Sequence, residues 1–251
     1  MPYISYYNGE FKNFNISYSL FLRSASAMFE RFLKVLTSSV IKKQLMGLTG
    51  LLLCGFLLTH LIGNFLIFVS PEAFNTYAYK LTSTPLIYAA EAVLMGIFLL
   101  HLSLAMVLTI ENKKARPVGY YMKQPTGRGS TFASSTMPVT GIVIGIFIVL
   151  HIIHFKFGAH YTVTYGDVEM RDLYKLIIEE FQNKAFAFGY IVSMAFIGVH
   201  ISHGFWSAFQ SLGFSHPKYT TVLRCLSTIY AITIFGGFSS LPIYCFLQGV
   251  Q

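Results

Sequence analysis

Two stretches decide the fold: TGLLLCGFLLTH (Thr49–His60) and TGIVIGIFIVLH (Thr140–His151). Each is an apolar run that opens on Thr-Gly and ends on a histidine, with the spacing Thr-Gly-x9-His. Working outward, each lies inside a longer apolar segment, and five such segments occur, near Leu45–Val69, Pro85–Ile110, Pro138–Phe155, Phe186–Leu212 and Thr221–Phe246. A membrane-crossing helix takes about 20 residues. Backbone groups in lipid must be satisfied within the segment, so these segments are helices. The chain is 54% hydrophobic and 11% charged, against about 25% charged in soluble domains. An all-α integral membrane protein of five transmembrane helices follows, with little soluble mass.

The net charge of +8 is unevenly placed. Lys and Arg number six in residues 1–44, five in Glu111–Met137 and two in Gly213–Arg224, against one (Lys80) and four in the links on the other side. By the positive-inside rule, the N-terminus is cytoplasmic and the C-terminus outside. The basic balance therefore reads as topology in a cytoplasmic or inner membrane, with no nucleic-acid partner. Cys54, Cys225 and Cys245 have no Cys-x2-Cys spacing and read as small packing residues rather than cluster ligands.

Residues 1–27 are aromatic-rich and polar and lack the signature of a signal peptide. They stand as an extension without an assigned role. Met28 is a candidate start, and Phe29–Val40 reads as a short amphipathic lead-in helix. Glu111–Met137, with Pro117, Gly119, Pro125, Gly127 and Gly129, reads as a solvated loop suited to docking a partner. In the link after the third span, Leu173, Leu176, Ile177 and Phe181 recur at helical spacing. Asp167–Lys184 is therefore expected as an amphipathic helix on the outer membrane surface. The remaining links are short, so consecutive spans are antiparallel neighbours in a bundle.

Histidines occupy the cores of four spans: His60, His101, His151 and His200. Imidazole in hydrocarbon is costly unless it is paired or metal-bound. His101 and His200 share a second echo, His-apolar-Ser, in His101-Leu102-Ser103 and His200-Ile201-Ser202. The spans of His60 and His151 run in one direction and those of His101 and His200 in the other. At 1.5 Å per residue the first pair lies about 20–22 Å from the cytoplasmic end and the second about 14–18 Å. Flanks and directions thus pair His60 with His151 and His101 with His200. Two bis-histidine haems suit such pairs, giving four spans as a haem-binding bundle. Gly55, Gly63, Gly96, Gly141, Gly145, Gly198 and Gly204 allow close approach of a porphyrin, or serve tight helix packing. His154 and His203, one turn beyond His151 and His200, compete as ligands or as hydrogen-bond partners of a haem propionate or quinone. His160 and His216 lie in loops. Glu91 is the acidic residue within a span. It reads either as a proton carrier for a quinone or as a carboxylate paired with a neighbouring helix.

Lys42-Lys43-x6-Gly50-x9-His60-x3-Asn64, the His101 span ending in Glu111-Asn112-Lys113-Lys114, Thr140-Gly141-x9-His151, and His200-Ile201-Ser202-His203-Gly204-Phe205-Trp206-Ser207 resemble the single-chain, five-helix cytochrome b subunit of succinate dehydrogenase and fumarate reductase. The resemblance covers about residues 28–248, within a transmembrane di-haem cytochrome b domain spanning 28–251. It implies two b haems in a four-helix bundle with a fifth helix beside it. It also implies a cytoplasmic iron–sulfur subunit, a flavoprotein subunit that holds the dicarboxylate chemistry, and a membrane quinone. His101 and His200 would hold the iron of the inner haem, His60 and His151 that of the outer. Some relatives carry a Glu two residues before the fourth ligand as part of a proton path; here that position is Gly198. The expected quinone site lies on the outer side beside the His60/His151 haem, with Glu91 as proton carrier and Asp167–Lys184 covering the opening. Three other readings remain: a di-haem cytochrome b anchor of a hydrogenase or formate dehydrogenase, a divalent-metal transporter, and a structural anchor that has lost its haems.

Overall fold

The computed structural model describes residues 38–115 and 132–249, together with 27, 28, 30 and 34. The N-terminal extension, most of the lead-in helix and the basic loop over 116–131 lie outside the described residues. The chain divides into two compact units, Met1–Lys42 and Lys43–Gln251, and the bundle belongs to the second.

Five helices are long and apolar enough to cross a membrane among the described residues. They are α1 (Ser39–Asn64, extended by a 3-10 turn at Phe65–Phe68), α3 (Leu86–Ala115), α4 (Phe132–Phe155), α6 (Lys184–Ser211) and α7 (Pro217–Gln248). The remaining elements are α2 (Pro71–Thr82), the strands β1 (Thr162–Tyr165) and β2 (Val168–Arg171), and α5 (Leu173–Gln182).

Side-chain contacts set the order of the helices. Thr49 on α1 meets His101 on α3, and Glu91 on α3 meets Lys156 just beyond α4. Thr140 on α4 meets His200 on α6, and Gly47 on α1 lies against Ala208 on α6. The four helices therefore follow one another around a square, α1–α3–α4–α6, each antiparallel to its neighbours. α7 packs outside, chiefly on α6. It reaches α1 through the Tyr230 hydroxyl, which donates to the Cys54 carbonyl at 2.6 Å. Leu61, Met194, Ile197, Ile201, Ala231 and Ile234 form the apolar contact among α1, α6 and α7. Ser227 of α7, fully buried, donates to the Ser202 carbonyl at 2.8 Å. In lipid, such close packing and interhelical hydrogen bonds hold helices together where apolar burial does not.

One end of the bundle carries a cap, of which the sequence reading expected only the amphipathic helix. The link between α1 and α3 holds α2, started by Ser70, whose Oγ accepts from the Ala73 amide at 3.0 Å, with Pro71 in the first turn. Pro in that turn loses no helix hydrogen bond. The expected amphipathic helix Asp167–Lys184 is shorter than the spacing indicated. Its first residues belong to an antiparallel hairpin whose register pairs Tyr165 with Val168. The turn between them is Gly166-Asp167, and Gly166 has φ +60°, a left-handed conformation that costs glycine nothing. The helix begins only at Leu173, where the Asp172 carboxylate accepts from the Lys175 amide at 3.0 Å.

α5 turns its apolar face onto the end of the bundle. Ile177, Ile178 and Phe181 are buried against Ile67, Phe74, Ala187, Leu241 and Cys245. The fully buried Asn75 of α2 fastens the cap. Its Nδ2 donates to Asp172 Oδ1 at 2.8 Å and its Oδ1 accepts from the Tyr174 amide at 2.9 Å. Arg171 donates from Nη1 and Nη2 to the carbonyls of Lys156 and Ala159, tying the hairpin to the end of α4. Cys245 and Cys54 pack inside the chain, as expected, while Cys225 is exposed.

Candidate functional site

The square arrangement places α1 diagonally opposite α4 and α3 opposite α6. Diagonal helices run in the same direction, so the pairs inferred from the flanks face each other across the centre. His60 and His151 stand with ring centroids 5.9 Å apart and planes at 87°. Their surroundings are aromatic. Phe56 stacks on His60 at 5.3 Å, and Phe238 of α7 lies 5.6 Å away. Phe147 lies 5.7 Å and Phe155 5.4 Å from His151. Phe56 and Phe147 each precede their histidine by one helical turn. The repeat is thus longer than Thr-Gly-x9-His: Met46 and Met137, Thr49 and Thr140, Gly50 and Gly141, Phe56 and Phe147, His60 and His151 coincide at the same offsets. The polar contacts of this pair are longer. The Tyr190 hydroxyl is 3.5 Å from His151 Nδ1, and Asn64 Nδ2 is 3.4 Å from either ring nitrogen of His60.

His101 and His200 form the other diagonal, within electrostatic range of one another. Each is held from the adjacent helix by the Thr-Gly step that opens the repeat. Thr49 Oγ1 lies 3.0 Å from His101 Nδ1, and Thr140 Oγ1 lies 2.9 Å from His200 Nδ1. The glycine of each step lets the ring lie against the helix. A Cβ on Gly50 would stand 3.3 Å from His101 Cε1, and one on Gly141 3.7 Å from His200 Cε1. The Thr-Gly dipeptide is therefore a seat for the histidine of the neighbouring span. The sequence shows only that each apolar run opens on it, because its partner lies on another helix.

The donor sets suit a haem. Among the described residues no three His, Cys, Asp or Glu side chains gather as a metal site. The histidines come as pairs, and a porphyrin that supplies four nitrogens needs only two axial ligands. Two imidazoles bound on opposite sides of one metal at about 2.0 Å each would have centroids about 6 Å apart, close to the separation of His60 and His151. Three of the glycines considered for close approach are occupied otherwise. A Cβ on Gly63 would meet Tyr77, one on Gly198 would meet Phe235, and one on Gly204 would meet Met137. Around Gly55, Gly96 and Gly145 a Cβ would meet nothing within 4 Å.

The competing histidines point to other partners. His154 lies 3.5 Å from Glu180 of α5. His203 sits edge-on to Trp206 at 5.5 Å, with the Arg224 guanidinium 4.6 Å from the same indole ring. His160 and His216 are exposed, and His216 caps α7 by accepting from the Lys218 amide at 3.2 Å. Glu91 forms an ion pair with Lys156, both side chains part-exposed. The neighbouring-helix reading of this carboxylate therefore describes its contact.

Beyond the spans, Tyr161 has its phenol pushed up by its hydrogen bond to Glu179, a residue that also lies 3.9 Å from Lys175. Comparison with protein-family models, with curated proteins and with solved structures gave no match.

Proposed function

We propose that the chain is the membrane anchor and electron-carrying subunit of a succinate:quinone oxidoreductase, holding two b haems between His60 and His151 and between His101 and His200. The observation that carries this reading is the pairing of four span histidines across the two diagonals of one square bundle. Bound haem supplies reversible one-electron transfer without proton uptake at the iron. The chain's own residues do the rest. The four histidines would hold the two haem irons, one pair to each, and so set two carriers in line across the bilayer. Phe56, Phe147, Phe155 and Phe238 exclude water from the His60/His151 side. Thr49 and Thr140 hold the other two rings.

The basic segments near Lys42 and over Glu111–Met137 face the cytoplasm, on the side of the iron–sulfur subunit, beyond which lies the flavoprotein subunit. The quinone sits at the opposite side, near the capped end, where Glu91 and Lys156 meet. The dicarboxylate chemistry belongs to the partners.

Purifying the chain from its native membrane tests this directly. Two non-covalent haems by pyridine haemochrome, with an iron–sulfur protein and a flavoprotein copurifying, are expected. Hydrogenase or formate dehydrogenase subunits in their place would move the chain to another respiratory complex. Absence of haem would end the proposal.

A further inference from the structure

The two threonine contacts have a directionality that fixes more than distance. Thr49 and Thr140 are buried, at 4% and 3% exposure. Thr140 is the one residue of α4 that is buried at all. Each hydroxyl has carbonyls of its own helix within hydrogen-bond reach. Thr49 Oγ1 lies 2.8 Å from the Leu45 carbonyl and 3.1 Å from that of Met46. Thr140 Oγ1 lies 3.2 Å from the Thr136 carbonyl and 3.1 Å from that of Met137. A carbonyl oxygen can only accept, so a hydroxyl hydrogen placed there points back along its own helix and leaves a lone pair toward the imidazole. In that arrangement the facing Nδ1 of His101 and of His200 carries the hydrogen, and Nε2 of each ring keeps its lone pair free.

We infer that Thr49 and Thr140 are positioning residues that lock His101 and His200 in the Nδ1–H tautomer and aim Nε2 as the ligating atom. This rests on the haem reading given above. Hydrogen bonds of this kind orient a ligating ring and raise its donor strength. The arrangement crosses the bundle. Thr49 sits on the same helix as His60 yet serves the centre held by His101, and Thr140 sits on the helix of His151 yet serves the centre held by His200. Among the described residues, the polar contacts of His60 and His151 are those to Asn64 and Tyr190, longer at 3.4 and 3.5 Å.

The test uses the full chain purified with its partners and begins with the haem count of the unsubstituted protein. Fewer than two haems overturns the haem reading, and this inference with it. Given two haems, Thr49→Val and Thr140→Val remove the acceptor while keeping the shape. Redox titration followed by optical and electron paramagnetic resonance spectra reads each haem separately. Both variants are expected to shift the same haem, the one that disappears in His101→Ala, toward the ferrous form. A tenfold change in the ferric-to-ferrous ratio corresponds to about 59 mV for one electron. Selective loss of that haem would support the inference equally. The haem that disappears in His60→Ala should be unmoved in both. Thr49→Ser and Thr140→Ser, which retain the hydroxyl, should behave as the unsubstituted chain. The inference is overturned if neither valine variant alters either haem, if Thr49→Val disturbs the His60 haem as much as the other, or if serine behaves like valine.

Discussion

Glu91, one turn into α3, is joined to Lys156 at the end of α4 by an ion pair. The contact closes one edge of the square at its capped end. Part-exposed pairs contribute little stability, about 0–1 kcal/mol. Glu91→Gln should therefore assemble with both haems, while quinone-linked turnover falls and succinate oxidation with an artificial acceptor persists. Full quinone activity would remove Glu91 as a proton carrier. An equal fall in Lys156→Gln would assign the effect to the pairing rather than to the carboxylate.

The diagonal pairing makes a prediction about loss. His60→Ala and His151→Ala should each abolish one and the same haem, and His101→Ala and His200→Ala the other, read by haemochrome and by the spectrum that remains. Common loss on substitution of His60 and His101 would mean that ligands pair between adjacent helices. Retention in His151→Ala with loss in His154→Ala would move that ligand one turn toward Glu180.

Asn75 offers a purely structural test. Asn75→Leu removes both hydrogen bonds that join α2 to the start of α5 and strands the Tyr174 amide. A buried group left unsatisfied costs about 1–3 kcal/mol. Faster proteolytic nicking between 156 and 183 is expected, with the haem spectra kept. Unchanged cleavage would show that the cap is held by its apolar contacts alone.

Tyr174, in the cap, has its phenol pushed up to about 12, chiefly by burial and then by its hydrogen bond to Tyr244. In an unfolded cap the phenol would ionise near its ordinary value of about 10. The folded cap therefore holds the proton where the unfolded one has lost it. The resulting stability is complete below about pH 10 and is lost as pH rises toward 12. Alkaline opening of the cap should move to higher pH in Tyr174→Phe. An unmoved transition would locate the sensitive group elsewhere.

At the opposite end of the bundle, Gly47 lets α1 touch the backbone of α6. A Cβ there would lie 3.0 Å from the Ala208 carbonyl oxygen and 3.3 Å from its Cα. Neither atom belongs to a side chain that can turn away. Gly47→Val should cost about 1–3 kcal/mol by overpacking and lower the thermal midpoint of the solubilised chain. An unaltered midpoint would show that the two helices can separate freely.

The five spans were legible because each is a long apolar run, and lipid leaves such a run one structure to adopt. The juxtaposition of His60 and His151 was legible because a duplicated motif repeats direction and depth. The cap was not. Ser70-Pro71-Glu72 is a readable helix start, but α2 follows an apolar span so closely that the link looked short. Gly166-Asp167 between Thr162-Val163-Thr164-Tyr165 and Val168 is a readable hairpin turn, obscured by the helical spacing that begins at Leu173. The role of Thr49 and Thr140 could not be read from one helix, since each threonine acts on the next. Their local signal, a hydroxyl one turn from its own carbonyl, is common to any helix.

The diagonal arrangement also bears on how the molecule comes into being. Translation delivers domains from the N-terminus at about 5–20 residues per second. His60 meets its diagonal partner as soon as α4 has emerged, whereas His101 must wait for α6. The less supported pair is thus complete first, and the threonine-braced pair last. A chain truncated after Phe155 would hold both histidines of one proposed centre and only one of the other, so the two proposed centres should mature in a fixed temporal order.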